Sequence, residues 1–248
     1  MIALLKKLRK ANLTAKPSKC FIGMNSIEFL GHEIGKGTLS PQQNKVDKIR
    51  NAPKPSTKKQ MCSFLGLSGY YRKFIPNYAS IAAPLTDATK RNEPNQITWT
   101  ESRQLAFDKL KSCLTKSPIL TLPDLNKQFV LRTDASDSGL GAVLLQDRDG
   151  ILFPIAYASR KLLNRERAYS SIEKECLALV WVIHRFQPYL YGTQFIVETD
   201  HQPLAYINKA KVANGRIMRW ALSLQPYRMR IEAIKGSDNV GADFLSRH

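Results

Sequence analysis

Acidic residues at four places in the 248-residue chain have the setting of a divalent-cation site. Asp134 closes the run QFVLRTDAS (128–136), and Asp200 closes QFIVETDH (194–201). Glu173 and Glu175 lie on a helical stretch between them, and Asp243 stands in NVGADFLSR near the C-terminus. Like charges brought together repel and lose hydration unless a cation sits among them. Oxygen donors with no His or Cys nearby favour Mg2+ or Mn2+ over zinc. Singly, each acid has a structural role available. Asp134 could cap a turn, Asp200 the helix beginning at Gln202, and Asp243 the first turn of a terminal helix. Only as a set, gathered by the fold, do they point to chemistry.

The elements that must gather them are readable from periodicity. Phe129 and Leu131, like Phe195 and Val197, alternate as one face of a strand. After the first Thr-Asp end come a Gly-bearing turn (137–141), AVLLQ, the Asp149-Gly150 turn and ILFPIAYASR, which predict a three-stranded antiparallel meander. A helix follows over about 165–186 and the chain returns as QFIVETD. A basic loop, the helix-forming WALSLQPY, the strand YRMRIEAIK and a short terminal helix complete it. That order predicts an α/β sheet covered by helices. Its crossover into QFIVETD, expected to be right-handed, sets the two Thr-Asp ends side by side at one sheet edge. Helical phase leaves the glutamate open. At about 100° per residue, Glu173 and Glu175 flank the apolar face of Ile172, Cys176, Leu179, Ile183 and Phe186 about equally.

Residues before 128 read as small helices. Residues 1–11 form one, with Leu4, Leu5 and Leu8 on a face and Asn12 at its end. Cys20–Phe29 and LGHEIGKG suggest a hairpin returning through Gly35 and Gly37, and Pro41 opens a helix carrying Val46 and Ile49. APKPST breaks it; Thr57 and Gln60 then make a capping box for a helix running through MCSFLGLSGYYRKF to Pro76. A short helix covers about 79–90, and another runs from Trp99-Thr100-Glu101 through Ala106, Phe107, Leu110 and Leu114 to Pro118. Lysines lie on the outer faces of these helices. Tyr70–Phe74 (YYRKF) interleaves aromatics with Arg72 and Lys73, a mixture that stacks on bases and neutralises phosphate. Lys58, Lys59, Tyr71, Arg72 and Lys73 are therefore candidate nucleic-acid contacts. The structural alternative makes Tyr70 and Phe74 core residues and the basic pair a solvated face.

Composition supports that division. Hydrophobic residues at 43% and aromatics at 9% can fill a core, which excludes global disorder. The net charge of +18 suits a polyanionic partner. Residues 1–127 hold 22 Lys and Arg against 8 Asp and Glu, a net +14, and residues 128–248 hold 16 against 12, a net +4. The first half thus reads as the electrostatic grip and the second as the chemistry. Cys20, Cys62, Cys113 and Cys176 are scattered, which argues against zinc and a disulfide framework and fits a reduced intracellular setting, cytoplasmic or nuclear. No apolar run nears the roughly 20 residues of a membrane span, so no membrane partner is expected. MIALLKKLRKANLTAK imitates a transit peptide, but its apolar part is too short for a secretory signal, and it reads as part of a basic surface helix.

The motifs FLGHEIGKGTLSP, SFLGLSGYYRKFIPNYASIAAPLT, TDAS, TDHQPL and NVGADFLSR together resemble the distal part of the Pol polyprotein of gypsy-class long-terminal-repeat retrotransposons. The resemblance covers nearly the whole chain. It implies a remnant of the reverse transcriptase palm over 1–40, a mostly helical thumb and connection region over 41–127, and a ribonuclease H-like domain over 128–248. That domain is an α/β fold, a five-stranded mixed sheet with flanking helices. The resemblance carries catalytic and metal-holding roles onto Asp134, Glu175, Asp200 and Asp243. It selects Glu175 because the family's acid is followed by the apolar pattern seen here as Cys176-Leu-Ala-Leu179, leaving Glu173 as a surface acid.

The implied activity is that of an RNA·DNA-hybrid endonuclease cutting the RNA strand, with no small-molecule cofactor. Two Mg2+ ions about 3.5–4 Å apart, replaceable by Mn2+, would hold the scissile phosphate. In that scheme Asp134 bridges both ions, Glu175 and Asp200 hold one, and Asp243 holds the other. The backbone near Asp134 to Ser136 and the Glu175 side chain are candidates for reading the 2′-hydroxyl. Two departures bound the expectation. The chain has no Asp-Asp pair, so it is not expected to polymerise DNA alone. The loop IKGSDNVGAD before Asp243 lacks the histidine of many relatives, which predicts slower turnover or another residue assisting product release. The alternative reading is a catalytically decayed or co-opted fragment that binds hybrids without cutting them; four intact carboxylates speak against it. The motifs say nothing of oligomeric state.

Overall fold

The computed structural model describes residues 2–116, 120–200 and 215–234. Helix α1 (Ile2–Lys10) buries none of its residues and gives way to Asn12 at φ +53°. The expected hairpin is three antiparallel strands, β1 (Ser26–Phe29), β2 (His32–Gly35) and β3 (Thr38–Pro41). Two-residue turns join them at Leu30-Gly31 (φ +46° and +73°) and Lys36-Gly37 (φ +51° and +72°), the doubly positive geometry whose twist matches the strands it joins. Pro41 therefore ends β3 opposite His32 and does not open a helix; α2 (Gln43–Arg50) starts two residues later, after Gln42.

Helix α3 (Lys58–Tyr70) has the expected Thr57–Gln60 capping box, but it stops before Arg72–Phe74, which form a 3-10 turn. The expected helix over 79–90 is two pieces, α4 (Tyr78–Ile81) and α5 (Ala83–Asp87). Pro84 has no N–H to continue the ladder from α4. Helix α6 (Glu101–Thr115), capped by Thr100, buries Ala106, Phe107, Leu110 and Leu114 as expected. These helices share a core with Ile49, Met61, Phe64, Phe74 and Leu85. Strand β4 (Leu120–Thr121) then pairs with β3, too short to register in any sequence period.

The meander is present as β5 (Phe129–Ala135), β6 (Gly139–Arg148) and β7 (Ile151–Lys161), with Asp149 and Gly150 at positive φ in the second turn. After it come α7 (Asn164–Arg167), α8 (Ser171–Arg185), α9 (Gln187–Leu190), β8 (Gln194–Thr199), α10 (Gly215–Leu224) and β9 (Arg228–Ala233). The single helix expected over 165–186 is α7 and α8, because Ser170 acts as an N-cap and restarts the helix. Strand order is β7-β6-β5-β8-β9, with β8 parallel to both β5 and β9. The result is the expected five-stranded mixed sheet with flanking helices.

Strand parity divides the sheet's two faces. Phe129, Leu131, Phe195 and Val197 pack against Leu179, Val182 and Ile183 of α8. Val130, Val143 and Leu145 face the other way, where the half-buried Tyr157 packs against both this cluster and the helical core. The edge strand β7 is covered by the helical region. Arg72 donates through Nη2 to the Ser159 carbonyl (2.5 Å), the Ala79 N–H donates to Ser159 Oγ (3.0 Å), and Lys161 pairs with Asp87 (3.2 Å). Such cover removes an open edge that could otherwise pair with another chain. The fully buried Gln146 fixes the approach to β5, accepting from Asp124 N–H (2.9 Å) and donating to the Asp124 and Lys127 carbonyls (2.7 and 3.1 Å).

Candidate active site

Strands β5 and β8 run parallel with Arg132 opposite Glu198, and these side chains close an ion pair at 2.6 Å. Two residues on along each strand's course stand Asp134 and Asp200, which share that pair's face by the alternation of strand side chains. Thr133 and Thr199, one residue before each aspartate, are fully buried, so the runs Arg-Thr-Asp and Glu-Thr-Asp are held alike. Asp134 is 3% exposed and Asp200 half-buried. The paired register runs as far as Arg132 and Glu198 and ends one residue before each Thr-Asp pair.

Helix α8 brings two glutamates toward the end of β5. Its Ser170 N-cap accepts from the Glu173 N–H, and Glu173 Oε2 accepts in return from the Ser170 N–H (2.9 Å). Glu173 Oε1 also pairs with Arg216 on α10 at 2.7 Å, and the Arg216 guanidinium lies 4.1 Å from the Tyr169 ring centre. Glu173 is thus an anchor at the helix start, largely covered, and not the surface acid expected. Glu175 is 7% exposed, and its Oε1 accepts from the Ala135 N–H (3.3 Å), the residue after Asp134. That bond ties α8 to the end of β5 and sets Glu175, rather than Glu173, beside the residue that follows Asp134.

Between these elements lies a cavity of about 310 Å³, lined by Ala135, Ser136, Asp137, Ser171, Lys174 and Glu175. Ser136 shapes its rim, its Oγ accepting from the Ser138 and Gly139 N–H groups (3.2 and 3.1 Å). Lys174 is buried, and its ammonium meets Asp137 Oδ1 at 2.6 Å. That lysine holds the fully exposed Asp137 carboxyl below its ordinary range. Behind Glu175, burial first and then Glu175 and Glu173 push the Cys176 thiol up to about 12, so it remains a protonated core residue.

The donors are hard oxygens. Asp134 and Glu175 are both buried, and buried carboxylates of like charge fit a divalent cation far better than each other. Among the described residues no three His, Cys, Asp or Glu groups are gathered within reach of one ion; Asp243 lies outside those residues.

The candidate nucleic-acid contacts separate. Tyr71 is 1% exposed with its hydroxyl donating to the Gly31 carbonyl (2.7 Å), which leaves no ring face for a base. Arg72 is spent on Ser159 and on the Tyr78 ring, 5.5 Å away. Both are structural ties, and the expectation that they touch nucleic acid is corrected. Lys73 lies over Phe74, where burial lowers its ammonium pKa. Lys58 donates to the Lys90 carbonyl (2.7 Å), while Lys59 is exposed on the first turn of α3. Sequence reasoning missed the Arg132–Glu198 pair, although opposite charges two residues before each aspartate were a visible signal for it. It also missed Lys174, whose partner lies 37 residues away.

Residues 124–227 match the family described as the RNase H-like domain found in reverse transcriptase. The chain is 43% identical over 244 residues to the retrovirus-related Pol polyprotein from transposon 297 of Drosophila melanogaster, covering 97% of this chain and 22% of that protein. It is 35% identical over 248 residues to the transposon Tf2-3 polyprotein of Schizosaccharomyces pombe, covering 98% of this chain and 18% of that one. The chain therefore spans about a fifth of the length of these curated relatives. Among solved structures, the foamy viral protease-reverse transcriptase dRH in complex with double-stranded DNA superposes with a TM-score of 0.76 at 25% identity, over 94% of this chain and 42% of that one. The same foamy viral enzyme in complex with RNA/DNA hybrid shares the fold at 24% identity and a TM-score of 0.76, over 95% of this chain and 33% of that one.

Proposed function

From a chain that belongs with the retrovirus-related Pol polyproteins and carries their RNase H-like domain, we propose a metal-dependent endonuclease that hydrolyses the RNA strand of RNA·DNA hybrids. The observation that supports this reading is the parallel pairing of β5 with β8 through Arg132 and Glu198, two residues before Asp134 and Asp200, together with the Ala135 N–H bond to Glu175. Asp134, Glu175, Asp200 and Asp243 would hold two Mg2+ ions, or Mn2+ in their place. The ions would supply an acidified water and charge neutralisation at the scissile phosphate. The chain's own residues do the rest. Ala135 N–H orients Glu175 and Arg132–Glu198 fixes the register of the strands that lead to both aspartates; the backbone near Asp134 to Ser136 and the Glu175 side chain would read the 2′-hydroxyl of the RNA strand.

In this reading residues 1–40 are a palm remnant, 41–127 the thumb and connection, and 128–248 the nuclease domain. The exposed Lys59 and the half-buried Lys73 would grip the hybrid, in an intracellular setting, cytoplasmic or nuclear. Polymerase activity is not assigned to this chain. The test is cleavage of a labelled RNA·DNA hybrid in Mg2+. Asp134→Asn and Asp200→Asn should each abolish cutting and leave hybrid affinity nearly unchanged, whereas cutting that survives both changes would refute the site.

A further inference from the structure

A second surface feature lies at the far end of α8. Trp181, His184, Arg185 and Tyr191 line an open groove of about 760 Å³. Glu175 and Arg185 are ten residues apart on one helix, about 15 Å of rise, so the groove is separate from the carboxylate cavity. Its rings form a connected set. His184 meets Tyr227 edge-on at 6.3 Å, and Tyr227 meets Tyr191 edge-on at 6.2 Å. His184 Nδ1–H donates to the Val180 carbonyl (2.8 Å), which fixes the ring. Yet Tyr191 is 64% exposed, and His184 and Arg185 are exposed as well, which core aromatics are not.

Burial and then the guanidinium of Arg185 lower the pKa of Arg72. Among the described residues neither arginine closes an ion pair with a carboxylate, while Arg160, stacked on Trp181 at 5.5 Å, is neutralised by Glu166. The exposed Arg185 guanidinium, which closes no ion pair among the described residues, stands beside exposed rings and suits phosphates and unpaired bases together. A duplex buries its base faces and cannot use the rings.

We propose that this groove binds a single-stranded nucleic-acid segment, with phosphate on Arg185 and a base stacked on Tyr191. The site is distinct from the proposed nuclease centre and does not depend on it. The test is anisotropy of a fluorescein-labelled oligothymidylate with the full chain, across a salt series. Arg185→Glu should weaken binding about tenfold and lower the salt slope by about one unit. Tyr191→Ala should weaken it about tenfold with the slope unchanged, since stacking releases no counterions, and should leave hybrid cleavage intact. Asp134→Asn should do the reverse, removing cleavage and sparing oligothymidylate binding. Unfolding midpoints check that each variant is folded; Tyr191, being exposed, is the safer of the two. Wild-type affinity in folded Tyr191→Ala, or equal competition by polyglutamate or by duplex DNA, would overturn the proposal.

Discussion

Arg132 on β5 and Glu198 on β8 meet at 2.6 Å across parallel strands, each two residues before an aspartate. The pair is largely covered, with side chains 22% and 17% exposed. It therefore does more than a surface ion pair, whose worth is near zero. It locks the register that decides whether Asp134 and Asp200 are neighbours, since a one-residue slip would turn one aspartate to the opposite face.

Breaking that pair should cost both stability and geometry. Arg132→Ala and Glu198→Ala are each expected to lower unfolding free energy by about 1.5–3 kcal/mol, the range for a charge-assisted hydrogen bond. In the double variant the two losses should not add. Denaturant unfolding of the four proteins measures the coupling; additive losses would show that the pair is not a unit.

Glu166 predicts an acid limb to stability. Burial alone would raise its carboxyl, but two bonds from Arg160 (2.6 and 3.1 Å) and the Leu163 N–H (2.8 Å) bring it below its ordinary 4.5. A folded value below the unfolded one gives stability that is full above 4.5 and is lost as pH falls through the lower folded value. Glu166→Gln should flatten that part of a melting-temperature profile while lowering the plateau near neutral pH.

Ser159 joins the helical region to the sheet edge. Its hydroxyl takes the Ala79 N–H at the start of α4, a position with no partner inside the helix. Ser159→Ala should cost about 1–3 kcal/mol by stranding that donor. Limited proteolysis should then cut first between residues 72 and 83; a wild-type digestion pattern would show that the contact is idle.

Much of this was legible beforehand. Thr57 with Gln60 and Thr100 announced their helices, because capping is written in adjacent residues. The strand-end aspartates were found because alternation marks strands. What escaped depends on partners distant in sequence. Which of Glu173 and Glu175 meets the end of β5 depends on Arg216 and on the Ala135 N–H, 43 and 40 residues away. Tyr71 and Arg72 looked like nucleic-acid contacts because their types suit that role; Gly31 and Ser159, which occupy them, lie 40 and 87 residues off.

The most direct measurement is cleavage of an end-labelled RNA·DNA hybrid by the purified chain, beside the same length of duplex DNA, with and without Mg2+. The nuclease reading predicts RNA-strand products from the hybrid only, dependent on the metal and absent in Asp134→Asn. A wild-type chain that binds the hybrid tightly yet never cuts it, in Mg2+ or Mn2+, would contradict it and leave a binding fragment in its place.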